Sequence, residues 1–145
     1  MANLSDKSGQ SNAISVVTRK KHWADLDLSM AIHPIRSDII PLRDDAAIKN
    51  SIKNLILTNV FERPFQPFIA GKLRGLLFEP ATSTTALELR DNIADVIGIY
   101  EPRARVQSID INNNEDNNHW DITIFFEILQ IGYNSSVQII LKRLR

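Results

Sequence analysis

Cysteine is absent from this chain of 145 residues, so disulfide bonds and thiolate metal sites are excluded. An excess of charge is also absent, because 17 Lys and Arg residues balance 17 Asp and Glu residues. We therefore expect neither nucleic acid nor an anionic membrane as the main partner. No signal-peptide pattern is present, and no apolar run reaches the roughly 20 residues that a membrane-spanning helix needs. These absences predict synthesis and folding in a cytoplasm.

Motifs for catalysis, cofactors and metals are missing as well. The five glycines form no phosphate-binding loop, the three histidines have no metal-ligand spacing, and there is no G-x-S-x-G sequence. We therefore expect no catalytic, cofactor-binding or metal-binding residues. Glycoside hydrolysis stays open as an alternative, because it needs only two carboxylates at a suitable separation. The candidate carboxylates are Glu62, Glu79 and Glu101.

The amino-terminal part divides into a polar arm and the start of a domain. Residues 1–14, "MANLSDKSGQSNAI", are small and polar and predict a flexible arm. Residues 15–145 have the size and composition of one globular domain. Within it, "HWADLDLSM" and "SDIIPLRDD" are typical of two short strands that form a hairpin around "AIHPIR".

Two segments have helical periodicity. The first should begin with Asp44 or Asp45 as its cap, bury one apolar face, and end near residues 58–60. The second should run over residues 85–99, with Thr85 and Glu88 as a capping box. The expected buried positions are Ile48, Ile52, Leu55 and Ile56 in the first helix, and Leu89, Ile93, Val96, Ile97 and Tyr100 in the second.

A proline-rich block, "FERPFQPFIAGKLRGLLFEP", lies between the two helices at residues 61–80. Pro64 and Pro67 exclude a regular helix across the first half of this block. We expect the three phenylalanines around these prolines, at positions 61, 65 and 68, to be buried and to pin an irregular loop to the core. Residues 72–78 have the length of one or two helical turns.

The last third of the chain alternates apolar and polar residues with the period of a strand. "ARVQSIDIN", "HWDITIFFEI" and "SVQIILKRL" are separated by the polar cluster "NNNEDNNH" and by residues 132–135. Val106 is out of phase with Ile109 and Ile111, which indicates a β-bulge near Ser108. The pattern predicts an α+β fold, in which two main helices pack on a small antiparallel meander with an amino-terminal strand hairpin.

Four of these pieces, in this order and spacing, resemble the baseplate-wedge and sheath-initiator family of contractile-tailed bacteriophages. They are "WADLDLSM", "DDAAIKNSIKNLILTN", "ERPFQPFIAGKLRGLLFEP" and "YEPRARV". The last carries the Glu-Pro-Arg triplet by which the family is recognised. The proline block departs from the family pattern, because the usual acidic residue is missing and one extra residue precedes Gly71.

The resemblance implies a structural subunit of a virion tail baseplate, assembled in the host cytoplasm. It implies one copy per wedge of a six-fold ring, with other wedge proteins, the tail sheath protein and tube-proximal hub proteins as partners. The baseplate subunit of a type VI secretion system or of a phage-tail-like particle is the alternative from the same family. A lysozyme-like hydrolase is the alternative from another class.

The resemblance also implies particular contact residues. Glu101, Pro102 and Arg103 are expected to contact neighbouring wedge subunits, with Arg103 binding a carboxylate through two parallel hydrogen bonds. Pairing of these two charges within the domain is the alternative that the residues leave open. The final strand, through Val137, Ile139 and Leu141, is expected to pair with a strand of the sheath if it lies at an open edge. The block expected to shape the loop comprises Arg63, Pro64, Phe65, Pro67, Gly71, Phe78 and Glu79.

Overall fold

The structure is a computed structural model, and it describes residues 23–69, 71, 73–130 and 132–143. In chain order its elements are β1 (Ala24–Leu26), β2 (Pro41–Arg43), α1 (Asp44–Leu57), α2 (Leu73–Leu76), α3 (Ser83–Tyr100), β3 (Ala104–Asn114), β4 (His119–Ile128) and β5 (Tyr133–Lys142). The predicted α+β class, with its amino-terminal strand pair and carboxy-terminal meander, is confirmed. The predicted flexible arm, residues 1–14, lies outside the described residues.

The three long strands form one antiparallel sheet in the order β3-β4-β5. Strand β4 is central, and its inward positions are almost fully buried: Trp120, Ile122, Ile124, Phe126 and Ile128. The register between β3 and β4 shifts between Val106 and Ser108, so the predicted β-bulge is confirmed. The bulge lets Val106 and Ile109 both contact the core although they are three positions apart.

Helices α1 and α3 cover the inward face of this sheet with their apolar faces, as their periodicity predicts, except that Tyr100 at the end of α3 is only half-buried. Their buried aliphatic side chains are Ile48, Ile52, Leu55 and Ile56 on α1, and Leu89, Ile93, Val96 and Ile97 on α3. The short helix α2 and the turn after it contribute Leu73 and Leu77 to the same cluster. Within the described residues, no helix has both the length and the apolar character needed to cross a membrane.

The expected helix caps were wrong in both helices. The N-cap residue of α1 is Arg43, whose own side chain makes no capping hydrogen bond. Asp44 instead has a φ of +47° and accepts a hydrogen bond from the Trp23 amide at 3.1 Å, so its carboxylate fastens the hairpin to the helix. In α3 the cap is Thr82, whose hydroxyl accepts from the Thr85 amide at 3.2 Å. Thr85 is buried one turn into α3, where its hydroxyl donates to the Pro80 carbonyl.

In the hairpin of β1 and β2, apolar residues lie outward and a polar residue lies inward, the reverse of the usual arrangement of an alternating strand. The strands pair in antiparallel fashion, with Asp25 opposite Leu42. Leu26 and Leu28 are exposed, at 53% and 60%, whereas Asp25 is only partly exposed. The polar residue lies inward because it meets an arginine from another part of the chain, as described below.

The first part of the proline block, residues 61–68, forms a loop. The expected burial of the three phenylalanines in this loop was wrong. Phe61, Phe65 and Phe68 are 73%, 97% and 74% exposed. The loop is closed by a hydrogen bond from the Phe61 amide to the Pro67 carbonyl at 2.8 Å. It is held to α3 by a bond from the Tyr100 hydroxyl to the Phe68 carbonyl. Because backbone bonds and rigid prolines already fix the loop, its shape does not require a buried aromatic ring.

Candidate protein-docking surfaces

The Glu-Pro-Arg triplet forms the turn between α3 and β3. Glu101 is the C-cap residue of α3, and its amide donates to the Ile97 carbonyl. Pro102 follows and is exposed, and the Ala104 amide then donates back to the Glu101 carbonyl at 3.1 Å. A proline after the cap prevents the helix from continuing, so the chain reverses sharply into the sheet.

The Arg103 guanidinium binds two carboxylates of its own chain, each through two hydrogen bonds. Its Nε and Nη2 atoms donate to Glu101 Oε1 and Oε2 at 2.5 and 2.8 Å. Its Nη1 and Nη2 atoms donate to Asp25 Oδ1 and Oδ2 at 3.1 and 3.0 Å. The guanidinium carbon also lies 5.4 Å from the centroid of the Trp23 ring, within the range of a cation–π interaction. We call Trp23, Asp25, Glu101 and Arg103 the arginine clamp.

The arginine clamp is partly shielded from water, which strengthens its charged hydrogen bonds. Glu101 is 2% exposed, and the side chain of Arg103 is 16% exposed. The hydrogen bonds to Glu101 raise the pKa of Arg103 most, those to Asp25 raise it further, and burial acts in the opposite direction. A guanidinium has five N–H donors, and four of them are used here. Two parallel hydrogen bonds to a partner's carboxylate would therefore require Arg103 to release Asp25 or Glu101.

The sequence reasoning missed Trp23 and Asp25 as members of this site. Asp25 lies 78 positions from Arg103 along the chain, so no local spacing connects the two residues. The one available signal was an aspartate on an apolar strand, between Ala24 and Leu26. The clamp joins the amino-terminal hairpin to the turn that carries the triplet, and it thereby fixes the orientation of both.

The final strand β5 lies at an edge of the sheet, because its only partner among the described strands is β4. The side chains of Val137, Ile139 and Leu141, which were expected to meet the sheath protein, point into the core of this domain. Ile139 and Leu141 are buried in the core, and Val137 packs against it. A partner strand at this edge would therefore contact the backbone of β5, and its inward side chains would join the core of this domain.

The residues of the proline block have different surroundings. Arg63 lines a groove, Pro67 is half-buried, and Gly71 is buried, whereas Pro64, Phe65, Phe78 and Glu79 are exposed. A methyl group on Gly71 would lie 3.0 Å from Leu73 Cγ, so a larger residue there would require Leu73 to shift by a few tenths of an ångström. The Glu79 carbonyl accepts from the Arg143 guanidinium at 3.2 Å, which ties the end of the block to the residue after β5.

The groove beside Arg63 has a volume of about 270 Å³ and lies between the hairpin, α1 and the proline block. Its hairpin wall contains Asp25, Leu26 and Leu28, and Tyr100 and Ile69 lie at its other side. Three amide or hydroxyl side chains of α1, those of Asn50, Ser51 and Asn54, line it together with Ala47 and Leu55. The groove therefore extends from Asp25 of the arginine clamp to Arg63 and Ile69 of the proline block.

The three carboxylates considered for glycoside hydrolysis do not line this groove. Glu101 is buried in the arginine clamp, and Glu79 is exposed beside the turn after α2. Glu62 is exposed, and its carboxylate accepts from the Asn59 amide at 2.7 Å. The structure thus places the three carboxylates in separate environments.

Comparison with solved structures identifies the fold. The chain superposes with a TM-score of 0.67 on a chain of the anti-feeding prophage baseplate, at 18% identity over 74% of this chain and 86% of that one. It also superposes with a TM-score of 0.64 on a Geobacter sulfurreducens protein whose suggested role is that of a tail lysozyme. That similarity extends over 68% of this chain and 89% of the other, at 17% identity. The fold is therefore one found in baseplates of contractile particles.

Sequence comparison then identifies the family. The profile described as baseplate wedge protein gp25 matches residues 42–130, which is more than half of the chain. The baseplate wedge protein gp25 of Enterobacteria phage T4 is 34% identical over 82 residues, or 57% of this chain and 59% of that protein. The aligned part thus spans about three fifths of that relative. The chain belongs to the baseplate wedge protein gp25 family, and the resemblance stated from the sequence is confirmed.

Proposed function

We propose that this protein is a structural subunit of a contractile-tail baseplate, without catalytic activity of its own. In this proposal each wedge of a six-fold ring holds one copy, within the virion tail and after synthesis in the host cytoplasm. The observation that carries the proposal is the family match over residues 42–130, which includes α1, the proline block, α3 and the triplet. The wedge proteins, the sheath protein and tube-proximal hub proteins are the proposed partners.

Exposed apolar side chains support a role in an assembly. The loop between β1 and β2 exposes Met30, Ile32 and Ile35, and the proline block exposes Phe61, Phe65 and Phe68. Phe61 and Phe68 contact each other edge to face, with ring centroids 6.1 Å apart. Large exposed apolar patches on soluble proteins commonly mark contacts with other proteins. We assign these two segments to contacts with neighbouring baseplate subunits.

For the triplet we propose a division of roles. Arg103 and Glu101 hold the turn rigid from inside, and Pro102 provides the exposed surface that a wedge protein contacts. A rigid turn loses little conformational entropy when it binds, which favours docking at this position. The fifth N–H of Arg103 is the one donor of its guanidinium that remains for a partner.

For β5 we propose that its edge accepts a strand of the sheath protein and thereby templates the first sheath ring. An edge strand presents unpaired backbone donors and acceptors, and the added strand satisfies them. Lysine at such an edge discourages unwanted pairing, and Lys142 is exposed at the end of β5.

Affinity capture from lysate of the source cells tests both contacts. Tagged wild-type protein is compared with a Pro102→Gly variant and with a variant that carries Gln138→Lys and Ile140→Lys on β5. We expect the first variant to lose wedge proteins and the second to lose the sheath protein, as identified by mass spectrometry. Asp110→Lys on β3, at the opposite edge of the sheet, is the matched control and should retain both. Capture of neither class by the wild-type protein would contradict the proposal.

The same capture separates the alternatives. Capsid and portal proteins in the sample would indicate a phage, and a sheath protein without them would indicate a phage-tail-like or type VI secretion particle. The fold shared with the anti-feeding prophage baseplate supports a phage-tail-like particle as the second candidate. Release of soluble fragments from peptidoglycan by the purified protein, with loss in Glu62→Gln or Glu79→Gln variants, would instead establish a hydrolase.

A further inference from the structure

A second cleft lies where the end of β5 meets the helices. It has a volume of about 210 Å³, and five of its lining residues are aliphatic: Ile56, Leu57, Leu73, Leu77 and Leu141. Leu57 is 47% exposed although it is a large apolar side chain at the end of α1. Ligand sites for small molecules commonly measure about 300–1,000 Å³, so this cleft has the size of an anchor site for one large side chain.

Two cations border this apolar cleft. Arg74 on α2 and Lys142 on β5 both line it, and both are exposed. Neither takes part in the ion pairs found among the described residues. The rim residue Asn59 already has a carboxylate partner, because its backbone amide donates to the Glu62 carboxylate. The chemistry of the cleft therefore complements an apolar side chain that has a carboxylate next to it.

The position of Leu141 relates the cleft to the open edge of the sheet. Leu141 points inward and pairs with Trp120 of β4 on one side, so its other side faces the edge. A strand added along β5 would place one inward side chain beside Leu141, at a Cβ separation of about 4.5–5.5 Å. That side chain would lie between Leu141 on one side and Leu57 of α1 and Leu77 of the turn after α2 on the other. In antiparallel pairing, the preceding residue of the added strand would point outward beside Lys142.

We propose that this cleft is the anchor site for an extended segment of another protein that pairs antiparallel to β5, in which a large apolar residue opposite Leu141 is preceded by an acidic residue opposite Lys142. The proposal rests on the strand-pairing function proposed for β5, and it adds the register and the chemistry of the partner strand. Arg74, which also lines the cleft, adds to the positive charge around it.

Four synthetic strand peptides test the anchor. Each has ten residues that alternate Thr and Val, with Phe or Ala at one inward position and Glu or Lys at the position immediately before it. We expect the Phe–Glu peptide to bind most tightly. Replacement of its Phe by Ala should weaken binding by about tenfold or more, because a buried aromatic side chain is removed. Fluorescence anisotropy of labelled peptides measures these affinities on the full-length protein.

The charge preference is tested on the protein itself. A variant with Arg74→Glu and Lys142→Glu should prefer the Lys peptide to the Glu peptide, by a few fold at low salt. The preference should vanish near 1 M salt, where the screening length is about 3 Å. A variant with Arg36→Glu and Arg90→Glu changes the net charge equally but lies outside the cleft, and it should keep the wild-type preference.

Amide shifts in NMR spectra distinguish failure of the anchor from failure of strand pairing. Binding should shift Leu57 and Leu77 together with Gln138 and Ile140. Shifts confined to Gln138 and Ile140, with equal affinity for the Phe and Ala peptides, would contradict the anchor role of the cleft and leave strand pairing at β5 intact. The absence of binding of any peptide up to about 1 mM would also contradict the anchor role. Self-association that the Phe–Glu peptide displaces would reassign the cleft to a second copy of the chain.

Discussion

At the scale of single residues, Arg103 has the most consequential environment in the molecule. Its guanidinium satisfies Glu101, which is almost fully buried, and it joins Asp25 across 78 positions of the chain. A buried carboxylate that loses its cation retains the full cost of desolvation. We therefore regard Arg103 as a structural brace for the triplet, and partner contact through Pro102 remains our proposal.

Replacement of Arg103 by alanine should lower the free energy of unfolding by about 3 kcal/mol. This value is at the low end for loss of one partner from a buried ion pair, because the Asp25 side chain remains 34% exposed. Denaturation in urea, followed by circular dichroism, measures the change. Arg105→Ala, at an exposed position two residues along, should stay within about 0.5 kcal/mol of wild type. Equal stability of the two variants would contradict the role of Arg103 as a brace.

Lysine at position 103 should restore only part of that stability. Its single ammonium group can neutralise Glu101, but it cannot make two parallel hydrogen bonds with each of two carboxylates. In the same urea experiment, Arg103→Lys should lie between the alanine variant and wild type. A lysine variant as stable as wild type would show that charge alone, and not the guanidinium geometry, stabilises the clamp.

At the scale of elements, the start of α3 shows how the local sequence can indicate a cap at a wrong position. The segment "TSTTALE" contains three threonines and a serine before its glutamate, so several positions resemble a cap. Thr82 takes this role, because Thr85 is directed into the core and its hydroxyl bonds the Pro80 carbonyl. Burial of Thr85 sets the register of the whole helix.

Replacement of Thr82 by alanine should cost about 1 kcal/mol of stability, the usual loss for a helix cap. Glu88→Ala should change stability by less than about 0.5 kcal/mol, because Glu88 is exposed and is not part of a capping box. Thermal unfolding by calorimetry compares the two variants. A larger loss for Glu88→Ala than for Thr82→Ala would contradict this assignment of the cap.

At the scale of the whole molecule, one face of the sheet and two helices enclose the core, while residues 26–40 and 57–68 expose many apolar side chains. Ile122 and Ile124 on β4 are completely buried. The phenylalanines of the proline block, by contrast, project away from the core. The described residues therefore form an internal apolar cluster that stabilises the fold and external apolar segments, for which we propose contacts with other subunits.

Replacement of Ile122 by alanine should lower stability by about 2–5 kcal/mol, since it leaves a cavity at the centre of the core. Thr123→Ala, at the next position of the same strand but on the other face, should cost less than about 1 kcal/mol. Urea denaturation provides the comparison. Similar losses at both positions would show that the two faces of the sheet contribute equally.

Serine at Phe61, Phe65 and Phe68 should leave the melting temperature nearly unchanged and increase solubility, because these side chains bury little surface within the chain. The triple variant should also capture fewer baseplate proteins from lysate. Phe126→Ser is the control, since Phe126 is fully buried and its loss should unfold the domain. A large fall in the melting temperature of the triple variant would contradict an external role for these rings.

The sequence by itself determined the α+β class, the two helical faces, the bulge near Ser108 and the meander, because these follow from side-chain periodicity and local turn residues. Family membership also followed from motifs that lie in order along the chain. Only the tertiary structure decided that Asp25 meets Arg103, that Thr82 caps α3 and that the phenylalanines face outward. Each of these outcomes depends on groups distant in sequence or on competition between neighbouring positions. A local pattern contains no information about which partner the rest of the fold will bring to a charge, a hydroxyl or a ring.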